Sequence, residues 1–106
     1  MLGKFVRFVE QSQGIWEQIY AYYNLALWYA QKTYYSKAIK SLEYTLELLS
    51  SHKHQTDDLV LLKADAYFNM ALARHADGNV KKAIESMKEA HQHRIRAVGK
   101  NSLEVS

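Results

Sequence analysis

Apolar residues recur at every third or fourth position over long stretches of the chain, a spacing that is typical of helices with one buried face. Two such stretches follow one another in the first half of the sequence. The first contains Ile15, Ile19, Tyr22, Leu25, Ala26 and Tyr29, and the second contains Ala38, Ile39, Leu42, Leu46 and Leu49. Only the segment 32–34, Lys-Thr-Tyr, separates them, so the pattern predicts two antiparallel helices with a short connection.

The second half of the chain repeats the first at an offset of 45 residues. Segment 21–27 (AYYNLAL) aligns with segment 66–72 (AYFNMAL), and segment 37–42 (KAIKSL) aligns with segment 82–87 (KAIESM). The break recurs as Asp77-Gly78-Asn79, where Gly78 can adopt a positive φ to end one helix and Asn79 can cap the next. Two copies of one helical unit are therefore present, and internal repeats decide the fold prediction.

The same offset places Ser12, Asp57 and Ser102 in one register, and each residue type is a good helix N-cap. We therefore expect every unit to begin near its capping residue. Residues before Ser12, including Phe5, Phe8 and Val9, are interpreted as a capping helix or the end of a preceding one. The expected division is a remnant at 1–11, a first repeat at 12–56, a second repeat at 57–101 and the start of a truncated third repeat at 102–106.

The apolar and small positions of the two units resemble the tetratricopeptide repeat pattern. They are Tyr22, Leu25, Ala26, Tyr29, Ala38 and Leu42 in the first unit, and Tyr67, Met70, Ala71, Ala83, Met87 and Ala90 in the second. The resemblance implies an all-α fold, an α-solenoid of antiparallel helix pairs. Arg74 and Thr45 depart from the pattern, since an aromatic residue and an alanine are usual there.

The repeat length distinguishes this sequence from most members of that family. An offset of 45 residues exceeds the usual period of about 34 by close to three helical turns, which keeps the buried faces in phase. The longer unit is similar to the long-repeat class found in kinesin light chains. HEAT and armadillo arrays are the structural alternative, but they lack the paired small residues.

Composition limits the chemistry and the location of the protein. The chain has no Cys, no Pro and 4 Gly among 106 residues, so thiolate sites are excluded and long helices are favoured. No apolar run is long enough for a signal peptide or a membrane span. We expect a cytoplasmic protein without a membrane partner, a cofactor or a metal. His52 with His54 and His91 with His93 are spaced i, i+2, which would point them apart on a helix.

The family resemblance implies a concave surface formed by the first helices of the two units. Its expected residues are Tyr20, Tyr23, Asn24, Leu27 and Gln31, with Asp65, Phe68, Asn69, Leu72 and His75. Asn24 recurs as Asn69, and an Asn amide can both donate to and accept from the backbone of a bound segment. The expected function is a non-catalytic interaction module or scaffold that binds a peptide or helix of another protein. Tyr23 and Leu27 exclude the basic clamp by which chaperone-binding relatives grip a terminal carboxylate.

Two further expectations concern the second half of the chain. The net charge of +3 is not a nucleic-acid signature by itself, but segment 81–100 holds six Lys or Arg residues, so a nucleic-acid-binding helical repeat is the alternative function. We regard nucleic acid as the weaker prediction, because cations are favoured near a helix C-terminus and no aromatic residues are interleaved. An uncovered end of the array would expose Ile84, Met87 and Ile95, which predicts self-association. The sequence offers neither a nucleophile with a base nor a Gly-rich phosphate loop, so it does not predict an enzyme.

Overall fold

The structure, a computed structural model, describes residues 14–52 and 54–105, with side chains described up to Val98. Every regular element in these ranges is an α-helix, which confirms the all-α prediction. The four helices are α1 (Ile15–Gln31), α2 (Tyr35–Ser50), α3 (Asp57–Ala76) and α4 (Val80–Val105). The predicted breaks at 32–34 and 77–79 are confirmed. The expectations for segment 1–11 and for Ser12 lie outside the described residues.

The turn between α3 and α4 has the predicted chemistry. Gly78 has a φ of 88°, and its N–H donates to the His75 carbonyl at 3.0 Å. The Asn79 N–H donates to the Arg74 carbonyl at 2.8 Å, which completes a Schellman motif. The Asn79 side chain then accepts from the Lys82 N–H at 3.3 Å. Gly78 thus ends α3 and Asn79 caps α4.

The turn between α1 and α2 has the same hydrogen bonds but different residues. The Thr33 N–H donates to the Ala30 carbonyl at 3.0 Å, and the Tyr34 N–H donates to the Tyr29 carbonyl at 2.9 Å. Thr33 stands where Gly78 stands in the second turn, and its φ is 67°. A β-branched residue is strained in this left-handed region. The first turn therefore reproduces the second at a conformational cost.

Two expected helix caps are wrong. Thr56, not Asp57, caps α3, because the Thr56 hydroxyl accepts from the Leu59 N–H at 3.3 Å while Asp57 is already helical. Both residues are good cap types, and the sequence register alone selected the wrong neighbour. The expected cap at Ser102 is not formed either, since α4 continues through it to Val105. The division of the chain into repeats stays a prediction.

Two buried clusters hold α1, α2 and α3 together and set the helix directions. One joins Ile19 near the start of α1, Leu49 at the end of α2 and Leu59 at the start of α3. The other joins residues farther along α1 and α3: Ala26, Leu42, Leu46, Ala66 and Met70. Helix α2 is therefore antiparallel to α1, and α3 runs in the same direction as α1. The alanines at the contacts allow the helices to approach closely.

Helix α4 packs antiparallel to α3 through polar contacts as well as apolar ones. The Arg74 guanidinium, late in α3, donates to the Ser86 hydroxyl at 2.6 Å early in α4. Its other terminal nitrogen lies 3.5 Å from Glu43 of α2. Arg74 therefore links three helices. No described helix is long and apolar enough to cross a membrane.

Candidate functional site

Two of the predicted site residues bind each other across the contact between α1 and α3. The Asn69 side-chain Nδ2 donates to the Tyr23 hydroxyl at 2.8 Å and to the Asp65 carbonyl at 2.9 Å. The carbonyl partner fixes the orientation of the amide, because a flipped amide would place two oxygens together. Both donor hydrogens of Asn69 are therefore used within the chain, and only its Oδ1 is left to accept from a ligand.

Burial of Tyr23 also changes its proton affinity. Desolvation raises the pKa of Tyr23 above 10.0, and the carboxylate of Asp65 raises it further, whereas the hydrogen bond from Asn69 lowers it. The net direction is upward, so the hydroxyl stays protonated well into the alkaline range. Tyr23 accepts from Asn69 and packs against the core cluster, which makes it part of the helix contact.

The remaining predicted residues of α1 lie outside this pair. Asn24 and Tyr20 are exposed, and Leu27 is half-buried. The Tyr20 ring lies 6.1 Å from the ring of Trp16, one turn earlier in the same helix. Asn24 and Asn69 therefore have different environments despite their equivalent positions, since Asn24 is open to solvent and Asn69 is bonded to Tyr23.

Three of the predicted residues of α3, Phe68, Leu72 and His75, line two adjoining cavities between α3 and α4, which we call the α3–α4 groove. The larger cavity has a volume of about 370 Å³, and it is lined by Ala64, Phe68, Met87, Ala90, His91 and Arg94. The smaller has a volume of about 220 Å³, and it is lined by Ala71, Leu72, His75, Val80, Ala83, Ile84 and Met87. Met87 belongs to both, so the groove is continuous along the two helices.

The walls of the α3–α4 groove are apolar side chains that remain accessible to solvent. Phe68 is 45% exposed and Leu72 is 50% exposed on α3, while Ile84 is 52% and Met87 is 41% exposed on α4. Scattered exposed apolar residues are ordinary on a protein surface, whereas these four lie together beside a cavity, an arrangement that many interaction sites have. The exposure of Ile84, Met87 and Ile95 agrees with the expectation from the sequence.

One end of the groove is polar and basic. Arg94 lies there with a side chain that is 65% exposed, and its Nη2 is 3.6 Å from Asp65 of α3. An exposed pair of this length contributes little to stability. His91, one turn earlier in α4, lines the same cavity. Asp65, one of the predicted site residues, therefore lies at the end of this groove, opposite α4.

The basic stretch that suggested nucleic acid was expected near the C-terminus of a helix, and its position is different. Residues 88–100 lie inside α4, which ends at Val105, so the helix dipole at a C-terminus does not account for them. Arg94 is paired with Asp65, and Glu85 and Glu89 lie between the lysines of the same helix. Burial, together with the charge of Arg96, lowers the pKa of Lys63 on α3. The arrangement adds no contact that favours a nucleic acid over a protein.

The histidines occupy unrelated environments. His52 lies in the connection between α2 and α3 and not on a helix, which corrects the sequence interpretation, and its ring is 5.5 Å from that of Trp16. The His93 Nδ1 is 2.8 Å from the Glu89 carbonyl within α4. Over the residues that the structure describes, no three His, Asp or Glu side chains converge as metal ligands would.

Sequence reasoning located the α3 wall of the groove and missed its basic end. Phe68, Leu72 and His75 were predicted as part of a surface shared with α1, and they line the cavities between α3 and α4. The missed signal is the change at two repeat positions. His91 and Arg94 stand where the first unit has Leu46 and Leu49.

Comparison of the chain with models of known protein families found no match, and neither a curated protein nor a solved structure matched it. The resemblance to tetratricopeptide repeats has no support from these comparisons, and it stays a prediction from the residues. The arguments for function therefore depend on the geometry of the α3–α4 groove.

Proposed function

We propose that this chain is a non-catalytic protein interaction module that binds an amphipathic helix of another protein in the α3–α4 groove. The observation that carries the proposal is the continuous apolar wall formed by Phe68, Leu72, Ile84 and Met87, each at least 41% exposed. Removal of that surface from water by a docked helix would contribute about 25 cal/mol for every Å² of apolar area buried.

The shape and chemistry of the groove support a helix as the ligand. Small residues, Ala71 and Ala83, lie along the smaller cavity, so a partner backbone can come close to both helices. The walls offer few polar groups along that cavity, which suits the side chains of an amphipathic helix better than the unpaired backbone of an extended peptide. Asn69 fits an extended ligand poorly, because both of its donor hydrogens are used internally.

A selection from a library of displayed helical peptides tests this function. The wild-type chain serves as bait, and a double variant, Leu72→Glu with Met87→Glu, serves for counter-selection. Both positions are exposed, so the two charges are expected to block the groove while the helices stay folded. The matched control variant is Tyr20→Glu, which places one charge at another exposed apolar site, on α1.

The proposal predicts peptides that bind the wild type and the control variant but not the double variant. Circular dichroism of all three proteins establishes that loss of binding is not loss of folding. Peptides that bind all three equally, or the absence of any bound peptide, would mean that the groove is not a helix-binding site.

A further inference from the structure

The chain contains an occupied example of the same groove. In the first unit, Tyr23, Ala26 and Leu42 stand at the positions of Phe68, Ala71 and Met87, offset by 45 residues. Helix α3 covers this earlier groove, where Ala66 and Met70 cluster with Ala26 and Leu42. The coverage accounts for the contrast in exposure, since Leu42 is 2% exposed and Met87 is 41% exposed. Helix α3 therefore shows which kind of helix such a groove accepts.

The two grooves differ in charge at one end. In the first unit that end is apolar, because Leu49 lies in a buried cluster with Leu59, and Leu62 packs against the cluster from its rim. In the second unit the place of Leu49 is taken by Arg94, whose side chain is 65% exposed. A docked helix with a leucine at the position of Leu62 would offer this guanidinium no partner. A carboxylate there would complement it.

We infer that the α3–α4 groove selects a helix that resembles α3 but carries an acidic residue at the position of Leu62. The motif is an acidic residue, a small residue four positions later and an apolar residue eight positions later, after Leu62, Ala66 and Met70 of α3. The inference rests on the proposed function, and it adds the chemistry of the partner. The occupant runs parallel to α3, with its acidic residue beside Arg94 and its apolar residue beside Met87.

A second copy of the chain does not meet this description as well as a separate helix does. Helix α1 carries the required order, with Glu17, Ala21 and Leu25 at the equivalent positions. However, Ala21 is only 7% exposed, so the small residue that should meet the groove is already covered. The groove is accordingly assigned to a helix from a partner protein, and self-association becomes an outcome of the test.

Synthetic peptides of residues 57–76 that carry Asn69→Ala, which removes the amide that Phe68 could not accept from, provide the probe. One carries Leu62→Glu and the other carries Leu62→Lys, and the two substitutions remove the same apolar contact with opposite charge. Glu and Lys have similar helix propensities, so the helicity of the two peptides is matched. Binding of each labelled peptide to the full chain is measured by fluorescence anisotropy at low and at high salt, with wild-type protein and with Arg94→Glu.

The Glu peptide is expected to bind wild-type protein more tightly than the Lys peptide by about 2- to 20-fold, from the attraction of one exposed pair and the repulsion of the other. Arg94→Glu should reverse the order. High salt should reduce the difference, because exposed charges are screened. Asp65→Asn removes the internal partner of Arg94 and should increase the preference for Glu.

The possible outcomes separate this inference from the proposed function. Equal binding of both peptides, lost on Met87→Glu, would overturn the acidic requirement and leave a helix-binding groove in place. No binding of either peptide, while selected library peptides still bind, would overturn the inference alone. Sedimentation of the chain as an oligomer that Met87→Glu disperses would assign the groove to a second copy, and the inference would then be wrong.

Discussion

Replacement of Thr33 by glycine should stabilise the protein. Thr33 has a φ of 67° at the end of α1, whereas Gly78 occupies the equivalent place after α3 with a φ of 88°. A non-glycine residue pays about 1–2 kcal/mol for the left-handed conformation. Glycine also raises the conformational entropy of the unfolded chain, and this offsets about 0.4–1 kcal/mol of the stabilisation expected from relief of the strain. The expected net stabilisation is about 0.5–1 kcal/mol.

The local contacts of Thr33 do not offset this gain. Its hydroxyl donates to the carbonyl of Lys32, the adjacent residue, at an exposed site, where water replaces such a bond at little cost. The Schellman hydrogen bonds use only the backbone of Thr33 and Tyr34, so they persist in the variant. The stabilisation therefore comes from relief of backbone strain.

Urea and thermal unfolding followed by circular dichroism measure the effect. For a chain of this size, about 1 kcal/mol corresponds to a shift of about 4–8 °C in the unfolding midpoint. Gly78→Ala is the matched control. A Cβ at Gly78 meets no atom within 4 Å, so its cost is purely conformational, and the variant should lose about 1 kcal/mol. A Thr33→Gly variant no more stable than wild type would refute the reasoning, provided that Gly78→Ala is destabilised.

Three further predictions concern caps, site residues and pH. Thr56→Ala should lower the free energy of unfolding by about 1 kcal/mol and Asp57→Ala by clearly less, because only the Thr56 side chain accepts from a first-turn N–H of α3. Urea unfolding of the two variants measures the difference. Asn69→Ala should cost about 1 kcal/mol in the same assay through its bond to Tyr23, whereas Asn24→Ala should stay within about 0.5 kcal/mol. The raised pKa means that the folded protein keeps the Tyr23 proton at pH values above 10.0, where the unfolded chain loses it. The free energy of unfolding should therefore fall as pH rises past 10.0, and it should fall less steeply in Tyr23→Phe.

The helices and their turns were largely predictable, because each depends on local chemistry. Apolar spacing identified the helix faces, and the roles of Gly78 and Asn79 follow from their backbone and capping preferences. The strain at Thr33 was not foreseen, since a β-branched residue is a poor predictor of a positive φ. The turn adopts that conformation because the hydrogen bonds that end α1, from the Thr33 and Tyr34 N–H groups, require it. Local preference also could not identify Thr56 as the cap, because Asp57 beside it is an even more common cap residue.

The candidate site was less predictable, because it depends on which helix faces which. The sequence identified Asn24 and Asn69 as equivalent, but exposure and bonding distinguish them. Asn69 meets Tyr23 of the preceding unit, whereas Asn24 stands in the first unit and has no such neighbour before it within the described residues. Equal positions in a repeat thus acquire different roles from their neighbours, and a single unit's sequence does not contain that information.

The polarity of the two grooves indicates why α3 itself is a poor ligand for the groove that it helps to form. In the first unit the Tyr23 hydroxyl accepts from Asn69 of α3, but in the second unit Phe68 stands in its place and offers no acceptor. A second α3-like helix would therefore leave one amide hydrogen of its asparagine without the tyrosine acceptor, and it would set a leucine against Arg94. Both mismatches disfavour docking of α3 from another chain in the α3–α4 groove, and unpaired polar groups discriminate more strongly than lost apolar contacts. The Arg94 guanidinium, on which the proposed preference for an acidic helix depends, thus also disfavours docking of α3 from a second chain in that groove.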